Sequence, residues 1–229
     1  MSKAKKKPTT QAPAPEVRVM IVDDHPVVRE GFARFINGEP GMRVCCQEAG
    51  AADAFACYCK NKPDVALIDL SLEEGSGLEL IKDIKSQDAD AKILVISSHD
   101  EDLYAERCLR AGAMGYIGKQ QAADKVVDAI HHVLDGNLYL SDRVSSKLLR
   151  RATGNATDND RTGIDAVSDR ELQVFELIGQ GKSINEIAEH LSLSPKTVET
   201  YRAHLKEKLN LESSHQLARE AFMWSVEGN

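Results

Sequence analysis

Four residues of this chain have side chains and positions suited to metal and phosphorus chemistry: the adjacent pair Asp23 and Asp24, then Asp69, then Lys119. Each directly follows a short apolar run, Val17–Val22 before the pair, Val65–Ile68 before Asp69 and Gly115–Gly118 before Lys119. Runs this short and rich in Val and Ile read as buried parallel strands. In an open parallel sheet, residues at the carboxyl ends of strands converge on one crevice, so the four predict a single pocket. Three crowded carboxylates stay ionised only beside a compensating cation. A hard divalent ion held by oxygen, Mg2+, is the simplest answer.

The elements that must position these residues follow the same rhythm. Ala91–Ile96 adds a fourth apolar strand ending at Ser97, and Gly41–Cys46 is a weaker fifth. Helical periodicity falls between them, near 25–37, 51–61, 77–87, 100–111 and 122–135. Such alternation predicts right-handed crossovers and an α/β doubly wound, five-stranded parallel sheet of flavodoxin-like type. Asp23, Asp24, Asp69, Ser97, Tyr116 and Lys119 stand in that order at the ends of their strands. In this they resemble the receiver domain of bacterial two-component response regulators, over roughly residues 16–135.

The resemblance implies an acidic pair, a phosphoacceptor at Asp69, a hydroxyl switch at Ser97, an aromatic switch at Tyr116 and the family's lysine at Lys119. A carboxylate at a strand end can attack phosphorus and form an acyl phosphate. Mg2+ would hold the phosphoryl oxygens, with Asp24 and Asp69 as direct ligands, Asp23 through water and the Ser71 main-chain carbonyl as a further oxygen. Movement of Ser97 toward the phosphoryl group would let Tyr116 turn from exposed to buried. A plainer role for Asp23 and Asp24, capping the helix that starts near His25 and Pro26, is compatible with metal binding. One departure stands out: the Met-Pro pair usual after the phosphoacceptor is replaced by Leu70-Ser71-Leu72-Glu73-Glu74-Gly75-Ser76, while Gly77 keeps its expected place. Losing the proline frees a fixed φ and loosens the loop. Glu73 and Glu74 add negative charge near the pocket.

With 229 residues there is room for two cores, and no run is apolar for the length a bilayer requires. A formal charge of −7 argues against indiscriminate nucleic-acid binding. Residues 1–15 hold four lysines and three prolines without an apolar core, and read as a disordered basic tail rather than a signal peptide. Cys45, Cys46, Cys57, Cys59 and Cys108 lack zinc-type spacing and read as reduced thiols of a cytoplasmic protein.

After a receiver spanning 16–140, the stretch 141–165 loses periodicity and reads as a linker, with Val144–Arg151 able to extend the last helix. From 166 to 229 the sequence is punctuated by helix starts. Ser168-x-x-Glu171, Ser183-x-x-Glu186 and Ser213-x-x-Gln216 are capping boxes, and Ser194-Pro195 is a cap followed by a first-turn proline. Four short amphipathic helices predict a small all-α bundle whose middle pair is a helix-turn-helix.

Ser168–Glu171, Gly181–Ser183, Ile187-Ala188, Leu191–Ser194 and Lys196–Arg202 resemble the LuxR-type DNA-binding domain, with Tyr201 where histidine is usual. Joined to the receiver, this is similar to the NarL/FixJ subfamily of response regulators. Lys196, Thr197, Arg202, Lys206 and Lys208 are placed to hold phosphates, and Glu199, Thr200 and Ala203 to face base edges. A simple Glu199–Arg202 pair on a solvated face is the alternative. The implied protein is a transcription regulator and not an enzyme. Its expected partners are a sensor histidine kinase, promoter DNA and, once phosphorylated, a second copy; RNA polymerase stays open as a further one. Two other readings remain at this point: a metal-dependent phosphatase, and a phosphorylation-independent regulator whose receiver is an interaction module.

Overall fold

The computed structural model describes residues 16–72, 74–153 and 163–227; the basic tail, Glu73 and the polar stretch 154–162 lie outside them. The chain runs β1 (Val17–Val22), α1 (Pro26–Gly38), β2 (Met42–Glu48), α2 (Ala51–Asn61), β3 (Val65–Ile68), α3 (Gly77–Gln87), β4 (Ile93–Ser97), α4 (Glu101–Ala111), β5 (Gly115–Gly118) and α5 (Lys119–Leu134). The strands form one parallel sheet in the order β2-β1-β3-β4-β5. Every residue of β3 and β4 is buried, because helices cover both faces and leave no polar side to alternate. One apolar cluster joins the sheet to α1 and α5, the other to α2, α3 and α4.

The strand order reverses between β1 and β3, which pair side by side. Their carboxyl ends therefore open at the point where such sheets bind ligands, and there the chain places Asp23, Asp24 and Asp69. Helix α5 begins at Lys119, earlier than the sequence pattern suggests. Its N-cap is Gly118, which offers no side-chain cap to mark the start. The expectation of five reduced thiols fails at one pair. Cys46 on β2 and Cys57 on α2 form a disulfide, since α2 folds back against β2 and brings their Cα atoms to 6.8 Å; Cys45, Cys59 and Cys108 are free.

Part of the expected linker is helical. Helix α6 (Asp142–Ala152) starts at Ser141, whose hydroxyl accepts from the Val144 amide, and packs on α4. Lys147 donates to the Asp102 carbonyl at 3.0 Å, and Arg151 pairs with Glu106. A 3-10 turn (Gly163–Ala166) leads into α7 (Asp169–Gly179), α8 (Ile184–His190), α9 (Pro195–Lys208) and α10 (Ser214–Glu227). Both reciprocal contacts of the capping boxes at Ser168 and Ser183 are made, and Ser194 caps α9 through the Thr197 amide. Leu172, Phe175, Ile187, Val198, Leu205 and Leu217 fill the bundle core, which is continuous with the α2–α4 cluster of the receiver. No described helix is long and apolar enough to cross a membrane.

Candidate functional site

The acidic residues meet as their spacing predicts. Asp23 and Asp69 are each 2 % exposed, at the mouth of β1 and β3. Lys119 reaches across from the end of β5, its ammonium 2.6 Å from Asp69 Oδ2 and 2.7 Å from Asp23 Oδ2. Asp23 Oδ1 accepts from the His25 amide at 2.8 Å, and the Arg29 guanidinium donates to the Asp23 carbonyl. Ligand atoms of Asp23, Asp24, His25 and Asp69 all lie within 4.8 Å of one another.

Two oxygens in this pocket, Asp24 Oδ1 and Asp69 Oδ1, are buried without a hydrogen-bond partner. The His25 ring lies 2.5 Å from Asp24 Oδ1 but outside hydrogen-bonding geometry. Buried carboxylate oxygens left unpaired cost free energy, and a hard cation is the group that would satisfy both. The donor set thus fits Mg2+. Burial lifts the Asp69 carboxyl to about 6 against the pull of Lys119. Burial alone would lower Lys119, but the Asp69 and Asp23 carboxylates outweigh it and hold the ammonium charged.

Gly77 explains how the loop after Asp69 closes. A Cβ there would stand 2.0 Å from the Asp69 carbonyl and 2.7 Å from Leu70 Cα, so only glycine lets α3 start against the acidic strand end. The loop is gripped from its far side as well, for the Ala51 amide at the head of α2 donates to the Glu74 carbonyl at 3.0 Å.

Ser97 and Tyr116 line the cavity next to Lys119 and share a neighbour, His99. The His99 amide donates to Ser97 Oγ at 3.3 Å, and the Tyr116 hydroxyl donates to the His99 carbonyl at 2.8 Å, with Tyr116 2 % exposed. The His99 ring stands 2.8 Å from the Ser71 hydroxyl through Nε2 and 3.3 Å from Glu176 through Nδ1. Glu176 lies on α7, in the helical domain, and also accepts from the Tyr104 hydroxyl. Burial raises both Glu176 and Tyr104, with Tyr104 raised further by the facing carboxylate.

Three more residues of α7 contact the receiver. Asp169 pairs with Lys82 and with Arg107, each at 3.0 Å, and these two cations overcome its burial and lower its pKa. Arg170 stands 3.4 Å from Glu79, and the Gln173 amide nitrogen is 2.5 Å from the Ser76 hydroxyl. Beside them, Gln180, Lys182, His190 and Leu191 line a cleft whose other wall is Asp24, Leu70, Ser71 and Leu72.

On α9, Lys196, Glu199, Thr200 and Ala203 are exposed, and Arg202 and Lys206 are half-buried. The Thr197 hydroxyl is 2.8 Å from that of Ser194 within the cap, and Thr200 Oγ1 donates to the Lys196 carbonyl at 3.0 Å. Lys208 is differently engaged: its ammonium is 2.6 Å from Glu171, which His204 also approaches at 3.3 Å. Sequence reasoning missed His25, His99, Tyr104, Asp169 and Glu176 as site residues. His25 was signalled by its place beside the acid pair. The others have partners 62 or more residues away in several cases, as for Arg107 with Asp169 and Tyr104 with Glu176, and no local pattern reports such pairing.

The family described as "Response regulator receiver domain" matches residues 19–131, and "Bacterial regulatory proteins, luxR family" matches 165–221. The oxygen regulatory protein NreC of Staphylococcus carnosus is 34 % identical over 209 residues, 90 % of this chain and 96 % of NreC. The transcriptional regulatory protein UhpA of Escherichia coli is 35 % identical over 206 residues, 90 % of this chain and 98 % of UhpA. In fold, the chain is similar to RcsB of Salmonella enterica serovar Typhimurium bound to a promoter in the presence of the phosphomimetic BeF3-, with TM-score 0.68, 24 % identity, and coverage of 90 % of this chain and 98 % of that one. The chain belongs to the NarL/FixJ-type bacterial response regulators, transcription regulators of two-component systems that join a receiver domain to a LuxR-type DNA-binding domain.

Proposed function

We propose that Asp69 accepts a phosphoryl group from a sensor histidine kinase in the cytoplasm, and that this event governs promoter binding through α9. The reading rests above all on one observation: Asp69 is buried with one oxygen unpartnered and the other 2.6 Å from Lys119. Asp23, Asp24, Asp69 and the Ser71 carbonyl would hold Mg2+, which when bound neutralises charge on the transferring phosphoryl group. The free Asp69 oxygen attacks phosphorus, the kinase histidine departs, and an acyl phosphate remains. Lys119 then exchanges a carboxylate for a phosphoryl oxygen, and Ser97 donates its hydroxyl to another. Because the His99 main chain is bonded to both Ser97 and Tyr116, movement of Ser97 is felt at His99 and through its ring at Glu176.

On α9, Lys196, Thr197, Arg202 and Lys206 would hold the DNA backbone, and Glu199, Thr200 and Ala203 would meet base edges. Lys208, tied to Glu171, holds the helix in place instead. Paired copies would occupy inverted half-sites about one helical turn apart.

The test is treatment with phosphoramidate and Mg2+. Wild type should gain one base-labile phosphoryl group and bind promoter DNA more tightly, and Asp69→Ala should do neither. Mapping of the phosphoryl group to Ser71 or Ser76 would overturn the assignment. Equal DNA affinity with and without the group would instead make the receiver a plain interaction module.

A further inference from the structure

One cluster of reactive side chains lies outside the acidic pocket. Cys46 on β2 and Cys57 on α2 are bonded to each other, both half-buried, with the Cys46 sulfur 3.5 Å from Glu48 Oε1 and the Asn61 amide nitrogen 3.0 Å from the Cys57 sulfur. A DNA-binding regulator of this family works among reduced thiols, where a disulfide, when present, is generally transient and redox-sensing. We propose that Cys46 and Cys57 are a reversible thiol/disulfide couple, a redox modification site behind the phosphoacceptor loop, closed by a peroxide and reopened by a small thiol.

The neighbours assign the roles. The Asn61 amide can donate to the Cys57 sulfur and steady it as the attacking atom, whereas the Glu48 carboxylate beside Cys46 only accepts and leaves that sulfur as the resolving one. The Cys57 thiolate attacks a peroxide oxygen; the O–O bond breaks, hydroxide leaves as water on protonation, and a sulfenic acid remains. The Cys46 sulfur attacks that sulfur, the S–S bond forms, and the second hydroxide leaves with the thiol proton as another water. Two thiols have been oxidised and one peroxide reduced to two waters. Two molecules of a thiol such as glutathione, oxidised to their own disulfide, reverse the change.

The site bears on Asp69 through the main chain. The Glu48 carbonyl accepts from the Asp23 amide at 3.1 Å, and the Ala51 amide donates to Glu74 in the loop at 3.0 Å. Fixing α2 to β2 thus stiffens the loop that lacks the usual proline. A loop ordered beforehand costs less to order during transfer, so the bridged form takes up phosphoryl groups about threefold faster. This consequence rests on Asp69 as phosphoacceptor, whereas the bridge does not.

The experiment takes the full chain through hydrogen peroxide and then millimolar glutathione, following peptide masses without reductant and the rate of phosphoryl uptake from phosphoramidate with Mg2+. Peroxide should remove two hydrogens and link the Cys46 and Cys57 peptides, glutathione should restore both thiols, and uptake should follow the bridge. Cys57→Ser and Cys46→Ser should lose the response, and Cys59→Ser should keep it. A bridge that resists glutathione, thiols that oxidise singly without joining, or a one-to-one Zn2+ complex of the reduced protein that blocks oxidation would each overturn the couple. A reversible bridge with equal uptake rates overturns the link to Asp69. A reversible bridge with no uptake in either form supports the couple and overturns the phosphoacceptor reading.

Discussion

Replacing Glu176 by alanine should undock the two domains. Its carboxylate is 15 % exposed, accepts from the Tyr104 hydroxyl and stands 3.3 Å from His99 Nδ1, all across the boundary between receiver and α7. Hydrogen bonds to charged groups contribute about 1.5–3 kcal/mol, and a partner left buried adds its own desolvation cost. Burial already opposes the charge on Glu176, which places the net loss toward the lower end, about 2 kcal/mol. That loss lowers the docked-to-undocked ratio about 30-fold. Glu176→Gln keeps an acceptor for Tyr104 and gives up the charge, for a shift of about fivefold. A duplex seated on α9 runs its backbone past the first helix of the pair. There Lys182, His190 and Leu191 face the receiver. Undocking should therefore raise the affinity of the unphosphorylated protein for DNA and enlarge its radius of gyration in solution scattering. Glu176→Ala with scattering and DNA affinity both unchanged would refute the reasoning.

Two further outcomes follow from the same geometry. Raised to about 6 by burial, Asp69 binds its proton more tightly folded than unfolded; its contribution to stability is present below about pH 4 and lost as pH rises through about 6. Carboxyl NMR of the metal-free protein should show that midpoint, and Mg2+ should move it downward; a metal-free midpoint near pH 4 would refute the burial effect. On α9, Lys196→Ala should weaken binding to all sequences alike and reduce the salt slope by about one unit per monomer, and Glu199→Ala should relax preference at one base pair per half-site. Affinities over single-base site variants at several salt concentrations decide the matter. Uniform tightening by Glu199→Ala would leave base reading to Thr200 and Ala203.

The receiver was legible because its chemistry sits at strand ends. Val65–Ile68 followed by Asp69 is a local signal, as are Ser168-x-x-Glu171 and Ser194-Pro195, and the structure keeps all three at the positions read. Helix α6 was half-legible, since its apolar contact with α4 is tertiary. What escaped the sequence shares a different cause. His99, Tyr104, Asp169 and Glu176 are ordinary residues until two domains meet, and Cys46 and Cys57 are ordinary thiols until α2 lies on β2. Lys208 shows the same limit: Glu171, on a neighbouring helix, stands 2.6 Å from its ammonium, a contact that no local pattern on α9 reports.

Helix α7 is shared property. One side of it builds the bundle core with Leu172 and Phe175, its capping Glu171 secures the recognition helix, and Asp169, Gln173 and Glu176 belong to the receiver's surface as much as to their own domain. A chimera cut in the linker, joining this DNA-binding domain to a foreign receiver, would carry half of a lock without its keyhole. To transplant regulation along with DNA recognition, Ser76, Lys82, His99, Tyr104 and Arg107 must travel with α7, and the sensible unit of exchange is a set of residues rather than a domain.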